Sequence, residues 1–142
     1  MNVSSWQINI LGTDIAVGAL QAARRARFNE RAMRHVPPNY RKRFFTEVEQ
    51  GRTWQPKAQL LSWATFAQHN LLKPMLRGPF DLIVLKNVLI YFDAASKAPV
   101  AQHVCNALRP GGYLITGPAE NVAGMFKDLQ RVKRWLHRKP DM

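Results

Sequence analysis

Lys86, Asn87 and Tyr91 put a cation, an amide and a phenol into one short stretch, directly after the apolar run Leu82-Ile83-Val84-Leu85. That run, rich in branched residues, predicts a strand buried on both faces, as in parallel sheets of α/β proteins. Open α/β sheets take ligands at the carboxyl ends of their strands. The three polar side chains therefore form a site hypothesis. Asp14 closes a second apolar stretch, residues 8–15, ahead of a helical pattern. A carboxylate there can accept both hydroxyls of a ribose, or it can cap the helix, with Thr13 as the other cap. On spacing alone the cap is the better reading. Asn70 follows His69 in a turn-like stretch. Its amide offers a donor and an acceptor, which suits an adenine edge, but an Asn turn is the better reading from the residues alone. Tyr91 reads equally well as a core aromatic with a wet tip.

These groups need elements to position them. Residues 8–15 read as a strand and residues 17–28 as an amphipathic helix, with Leu20, Ala23 and Arg27 at helical spacing. Pro37-Pro38 breaks the chain. Residues 41–67 are the least legible. They suggest a short helix or loop, a strand over 58–63, and a lead from Thr65 into Asn70. After the run at 80–85, Asp93 is a helix N-cap, and the helix extends to about Leu108 with Val100, Val104 and Cys105 on one face. Pro99 must sit in its first turn or kink it. Pro110-Gly111-Gly112 is expected to end that helix before a strand over 113–116. Residues 122–126 form a short helix or turn, and 129–137 alternate weakly, as an antiparallel edge hairpin does. The βαβ pattern makes the class α/β.

With 142 residues, 46% of them hydrophobic, the chain is one domain with its own core. No apolar stretch reaches membrane-spanning length, so a cytoplasmic location is expected, without membrane insertion. The single cysteine, Cys105, excludes an internal disulfide and reads as a buried, inert thiol. The histidines His35, His69, His103 and His137 are isolated, so no metal site is expected. No Ser-His-Asp grouping, phosphate-binding loop or dinucleotide glycine motif occurs. The net charge of +12 is concentrated between Arg24 and Arg43 and between Lys127 and Lys139. Such blocks suit acidic partners. Nucleic acid is the weakest candidate, because neither a recognition helix nor a stacking platform is visible.

Four segments, taken in order, resemble the CheR-type methyltransferases, S-adenosylmethionine-dependent enzymes that methylate receptor glutamates in bacterial chemotaxis. They are Ile8 to Ile15 with Ala19-Leu20-Gln21-Ala22-Ala23-Arg24, then His69-Asn70-Leu71-Leu72, then Phe80 to Asp93, then Leu108 to Leu114 with Gly117-Pro118-Ala119-Glu120. The resemblance implies a Rossmann-like methyltransferase sheet over 1–142, with S-adenosylmethionine as cofactor and S-adenosylhomocysteine as product. It implies that Asp14 binds the adenosyl ribose and that Asn70 and the Leu71 backbone hold the adenine. Lys86 and Asn87 would border the cofactor, and Tyr91 would orient an incoming glutamate carboxylate beside the transferred methyl. Two positions depart from the family: Lys86 stands where Arg is usual, and Leu85 where Cys is usual. Lys keeps the charge and loses the two-pronged donor set. The implied partner is an acidic protein substrate such as a chemoreceptor cytoplasmic domain. The alternative is a catalytically inactive module of the same fold that binds protein through its basic surface.

In the family a helical domain and a first strand precede residue 8, and that strand lies between the strands matching 8–15 and 80–85. The chain is accordingly expected to be an N-terminally truncated form of the fold. Three arrangements could fill the gap: direct closure, strand exchange between copies, or insertion of 58–63. The first two are favoured, and with exchange a homo-oligomer.

Overall fold

A computed structural model describes residues 5–118, 120 and 122–142. The chain divides into two compact units, Met1–His69 and Asn70–Met142.

In the first unit, β1 (Ile10–Asp14) leads into α1 (Val17–Arg25), and β5 (Ala64–Gln68) returns to pair with β1 in parallel, Ile10 opposite Ala64 and Asp14 opposite Gln68. Gly12 lets the two strands' side chains close up, since a Cβ there would lie 2.6 Å from the Phe66 ring. The Arg24 guanidinium donates to the Phe66 carbonyl at 3.0 Å and ties α1 to β5. The helix stops three residues short of the expected end, because Ala26 adopts a left-handed conformation with φ 48°.

Between α1 and β5 lie β2 (Phe28–Asn29), α2 (Glu30–Met33), α3 (Pro38–Phe44), β3 (Phe45–Val48), β4 (Thr53–Pro56) and α4 (Ala58–Trp63). The three short strands form an antiparallel sheet in the order β2-β4-β3. Arg41 holds this subassembly together. Its guanidinium pairs with Glu30 at 2.6 Å, donates to the Met33 carbonyl and lies 5.4 Å from the centre of the Trp54 ring. The Trp54 indole in turn donates to Glu30 at 3.3 Å.

Residues 58–63, expected as a strand, are helical. The Leu60 and Leu61 amides both bond back to the Lys57 carbonyl, and the segment holds no β-branched residue and lacks the alternation a strand requires. The strand begins one residue later. Insertion of 58–63 into a sheet is thereby overturned.

The second unit contains β6 (Phe80–Leu85), a 3-10 turn at Leu89–Tyr91, α5 (Ala94–Ala107), β7 (Leu108–Thr116), β8 (Gln130–Lys133) and β9 (Leu136–Arg138). The sheet order is β6-β7-β9-β8; β6 and β7 are parallel, and the β8–β9 pair is the expected antiparallel edge hairpin. The Asp93 carboxylate accepts the Ser96 amide at 2.7 Å and caps α5 as expected. Leu85, Leu89, Val100, Val104, Cys105, Leu108 and Leu114 form the core with Val122, Phe126 and Leu129.

Two expectations change here. Pro110-Gly111-Gly112 lies inside β7 rather than ending a helix. The register slips between Phe80 and Leu82, and a Cβ on Gly112 would stand 2.9 Å from the Arg109 carbonyl and 3.1 Å from that of Phe80. The glycine pair thus serves a close backbone approach at a bulge. Nor is β6 covered on both faces: Ile83 and Leu85 turn inward, whereas Leu82 and Val84 are exposed. The apolar continuity of the run exceeds what one packed face requires. β6 is an edge of its sheet, and β1 is an edge of its own two-stranded sheet.

Candidate functional site

Asp14, in the first unit, ends β1 on the exposed surface. One carboxylate oxygen accepts the Ala16 amide at 2.8 Å in a local turn, and the N-cap of α1 is Ala16, without a side-chain cap, rather than Asp14 or Thr13 as expected. The backbone carbonyl of Asp14 accepts the His69 amide at 3.0 Å, which fixes the end of β5 beside it. The second carboxylate oxygen has no partner among the described residues and remains an acceptor.

The other five predicted residues belong to the second unit. Asn70 makes the expected turn: its side-chain oxygen accepts the Leu72 amide at 2.9 Å. Its amide nitrogen has no partner among the described residues. The Leu71 carbonyl contacts the His103 imidazole of α5 at 3.1 Å, and this ties the start of the unit to the helix behind the strand ends. Lys86 follows β6, is exposed and makes no ion pair among the described residues. Asn87 takes a left-handed conformation, φ 58°, which Asn tolerates better than most residues. That kink releases the chain from the strand into the Leu89–Tyr91 turn. Tyr91 is 79% exposed. Its aromatic-core reading is therefore not realised; its neighbour Leu89 fills the core instead.

The device that holds this stretch was not singled out from the sequence. Glu120 is buried, and one of its oxygens accepts the amides of Val88 at 3.0 Å and Leu89 at 2.9 Å. The other accepts the Gly117 amide at 2.8 Å. Burial works against the charged form, but the backbone donors of Leu89, Gly117, Val88 and Asn87 outweigh it and hold this carboxyl below its ordinary value. Glu120 thus locks the loop after β6 to the loop after β7. A Cβ on Gly117 would sit 2.7 Å from the carboxylate, so a larger residue there would have to displace the Glu120 head from its amides. The Gly-Pro-Ala-Glu motif carried the signal, although its Ala119 lies outside the described residues.

Each unit, taken by itself, carries groups of the kinds that an adenosyl cofactor engages. Asp14 offers an open acceptor for a ribose hydroxyl, Asn70 an open donor for a purine nitrogen, and Lys86 an unpaired cation for a carboxylate. A family model described as "CheR methyltransferase, SAM binding domain" matches residues 1–135. The chain belongs to the CheR methyltransferase family. Its relatives include a probable chemotaxis protein methyltransferase of Rhizobium etli, 36% identical over 129 residues, covering 89% of this chain and 48% of the relative. A chemotaxis protein methyltransferase of Vibrio parahaemolyticus is 32% identical over 128 residues, covering 89% and 46%. The chain spans about half the length of these CheR relatives. Among solved structures, a possible exported protein from Bordetella parapertussis superposes with a TM-score of 0.60 at 16% identity, over 99% of this chain and 56% of that one. The N-methyltransferase NodS of Bradyrhizobium japonicum superposes with a TM-score of 0.51 at 20% identity, over 97% and 89%. At these identities the likeness speaks for the fold, an α/β methyltransferase sheet. S-adenosylmethionine is the cofactor that the CheR family's domain binds.

Proposed function

We propose that this chain is the cofactor-binding part of a protein-glutamate methyltransferase acting on chemoreceptors or a related acidic protein in the cytoplasm, with 1–142 working as one partial CheR-like domain. The observation that carries this reading is the family match, which runs through both units. The names of the relatives support the substrate class, and the positive charge suits an acidic partner. No helix among the described residues is long and apolar enough to cross a membrane.

In this reading Asp14 binds the ribose, and Asn70 and Leu71 hold the adenine. Lys86 and Asn87 border the methionine end, and Tyr91 orients the acceptor carboxylate. The bound cofactor supplies an electrophilic methyl on a sulfonium. A glutamate is already ionised at neutral pH, so the protein needs no general base. Its task is alignment and exclusion of water. The exposed Tyr91 hydroxyl can donate to one acceptor oxygen while the other attacks, and the Glu120 clamp limits how far that loop can drift.

A second reading, a binding module without catalysis, is favoured by one observation: Lys86 lacks the planar donor pair of the Arg usual in the family. Isothermal titration with S-adenosylhomocysteine tests the cofactor assignment. Saturable binding is expected, weakened about tenfold or more in Asp14→Ala. No binding, or unchanged affinity in the variant, overturns it. Methyl transfer to a receptor fragment then separates enzyme from module.

A further inference from the structure

Beneath the β8–β9 hairpin lies a cavity of about 240 Å³ that none of the cofactor residues lines. Its floor is apolar: Val122, Phe126 and Leu129 are all buried. Its polar wall consists of Arg131, Arg134, His137 and Glu120. His137 is 5% exposed, and its Nδ1 has no hydrogen-bond partner among the described residues. The ring packs tilted against Phe126 with centroids 5.6 Å apart, and Arg131 stands opposite it in the strand register. A buried polar atom without a partner costs free energy that a ligand can recover. Burial, and secondarily the Arg131 charge, lowers the affinity of the imidazole for a second proton, so it offers hydrogen bonding without charge.

The cations are Arg131 and Arg134. Both are exposed, and neither forms an ion pair among the described residues. Glu120 forms no ion pair with them, because its oxygens are turned to backbone amides. Its charge opposes an anion on that wall, but two guanidinium groups outnumber it.

We propose that this cavity binds a small carboxylate carried on an apolar body. The arginines receive the carboxylate in the two-pronged geometry suited to it. The hydrocarbon covers the Phe126–Leu129 floor, and an oxygen at the carboxylate end meets His137 Nδ1. The volume admits about eight water-sized groups. An inorganic anion would leave the floor unfilled, and a neutral hydrocarbon would leave the cations without a partner. The proposal does not rest on the methyltransferase reading.

The test titrates hexanoate, hexanol and inorganic phosphate into the 142-residue chain while the ring signals of its histidines are followed by NMR. Hexanoate is expected to shift the His137 ring saturably, and hexanol and phosphate to bind about tenfold more weakly or worse. Arg134→Gln, at an exposed position that leaves the fold intact, should weaken hexanoate about tenfold. Equal binding of hexanol or phosphate, an unmoved His137 ring, or unchanged affinity in Arg134→Gln overturns the proposal. Competition by a blocked glutamate supports the site and identifies a protein carboxylate as its occupant; hexanoate binding without that competition supports it with a free acid instead. S-adenosylhomocysteine affinity, measured on the same sample, reports separately on the cofactor reading.

Discussion

Glu120 and Leu89 meet across the sheet ends: a buried carboxylate oxygen accepts the Leu89 amide at 2.9 Å, and the same oxygen accepts the amide of Val88. The loop that carries Lys86 and Tyr91 is therefore held by one acid from the loop after β7. Glu120→Gln replaces an acceptor by a group that confronts some of these donors with its own N–H. It should cost about 1–3 kcal/mol in urea unfolding. The carboxyl is held below its ordinary value of 4.5, so its contribution is complete above that pH and is lost as pH falls through the lower folded value. The advantage of the natural chain over Glu120→Gln should shrink as the pH drops below 4.5. A gap that stays constant to strong acid would mean that the charge is not what the clamp uses.

The chemistry assigned to Lys86 and Tyr91 is tested by variants that leave the fold alone, because both side chains are exposed. Lys86→Arg restores the donor pair usual in the family and should raise methyl transfer or leave it unchanged. Tyr91→Phe removes a hydroxyl that contributes no core packing. It should lower methyl transfer on the order of tenfold while thermal stability stays as it was. A large loss in Lys86→Arg would show that the ammonium works in a way the guanidinium cannot reproduce.

Which features could be read in advance follows from how far apart the interacting residues lie. The Asp93 cap and the turn at Asn70 are bonds between near neighbours, and the residues alone announce them. The β8–β9 hairpin showed in its alternation. Glu120 bonds to residues 31 and 32 positions away, and no local pattern marks such a partner. Two members of the basic blocks have structural partners that were hidden for the same reason. Arg41 is a structural pin between Glu30 and the Met33 carbonyl. Lys139 donates to the Cys105 and Leu108 carbonyls, both at 2.7 Å, and so serves the end of α5. Residues 58–63 failed as a strand because short apolar runs fit either period, and here the back-bonds to Lys57 decided for helix.

Cys105 supplies a check on the core. Burial, aided by the charge of Asp128 and opposed by Lys139, pushes its thiol up to about 11. Thiolate is the reactive form, so the native chain should resist thiol reagents at neutral pH and react only as it unfolds. Rapid labelling without denaturant would show that the α5–β7 core opens readily.

Association is the last outcome the strand edges predict. β1 and β6 each end a sheet without a further strand among the described residues. The outward face of β6 exposes Leu82 at 52% and Val84 at 59%, and Ile10 of β1 is 52% exposed. Unpaired edges flanked by apolar side chains invite pairing with another copy, and a charge on such an edge suppresses it. The chain should therefore show a concentration-dependent mass in light scattering, and Val84→Lys should shift it toward monomer. Strand exchange predicts in addition that unfolding midpoints rise with protein concentration. A monomer that unfolds cooperatively at a concentration-independent midpoint rules exchange out, and it leaves the exposed face of β6 as surface the folded chain tolerates unaided.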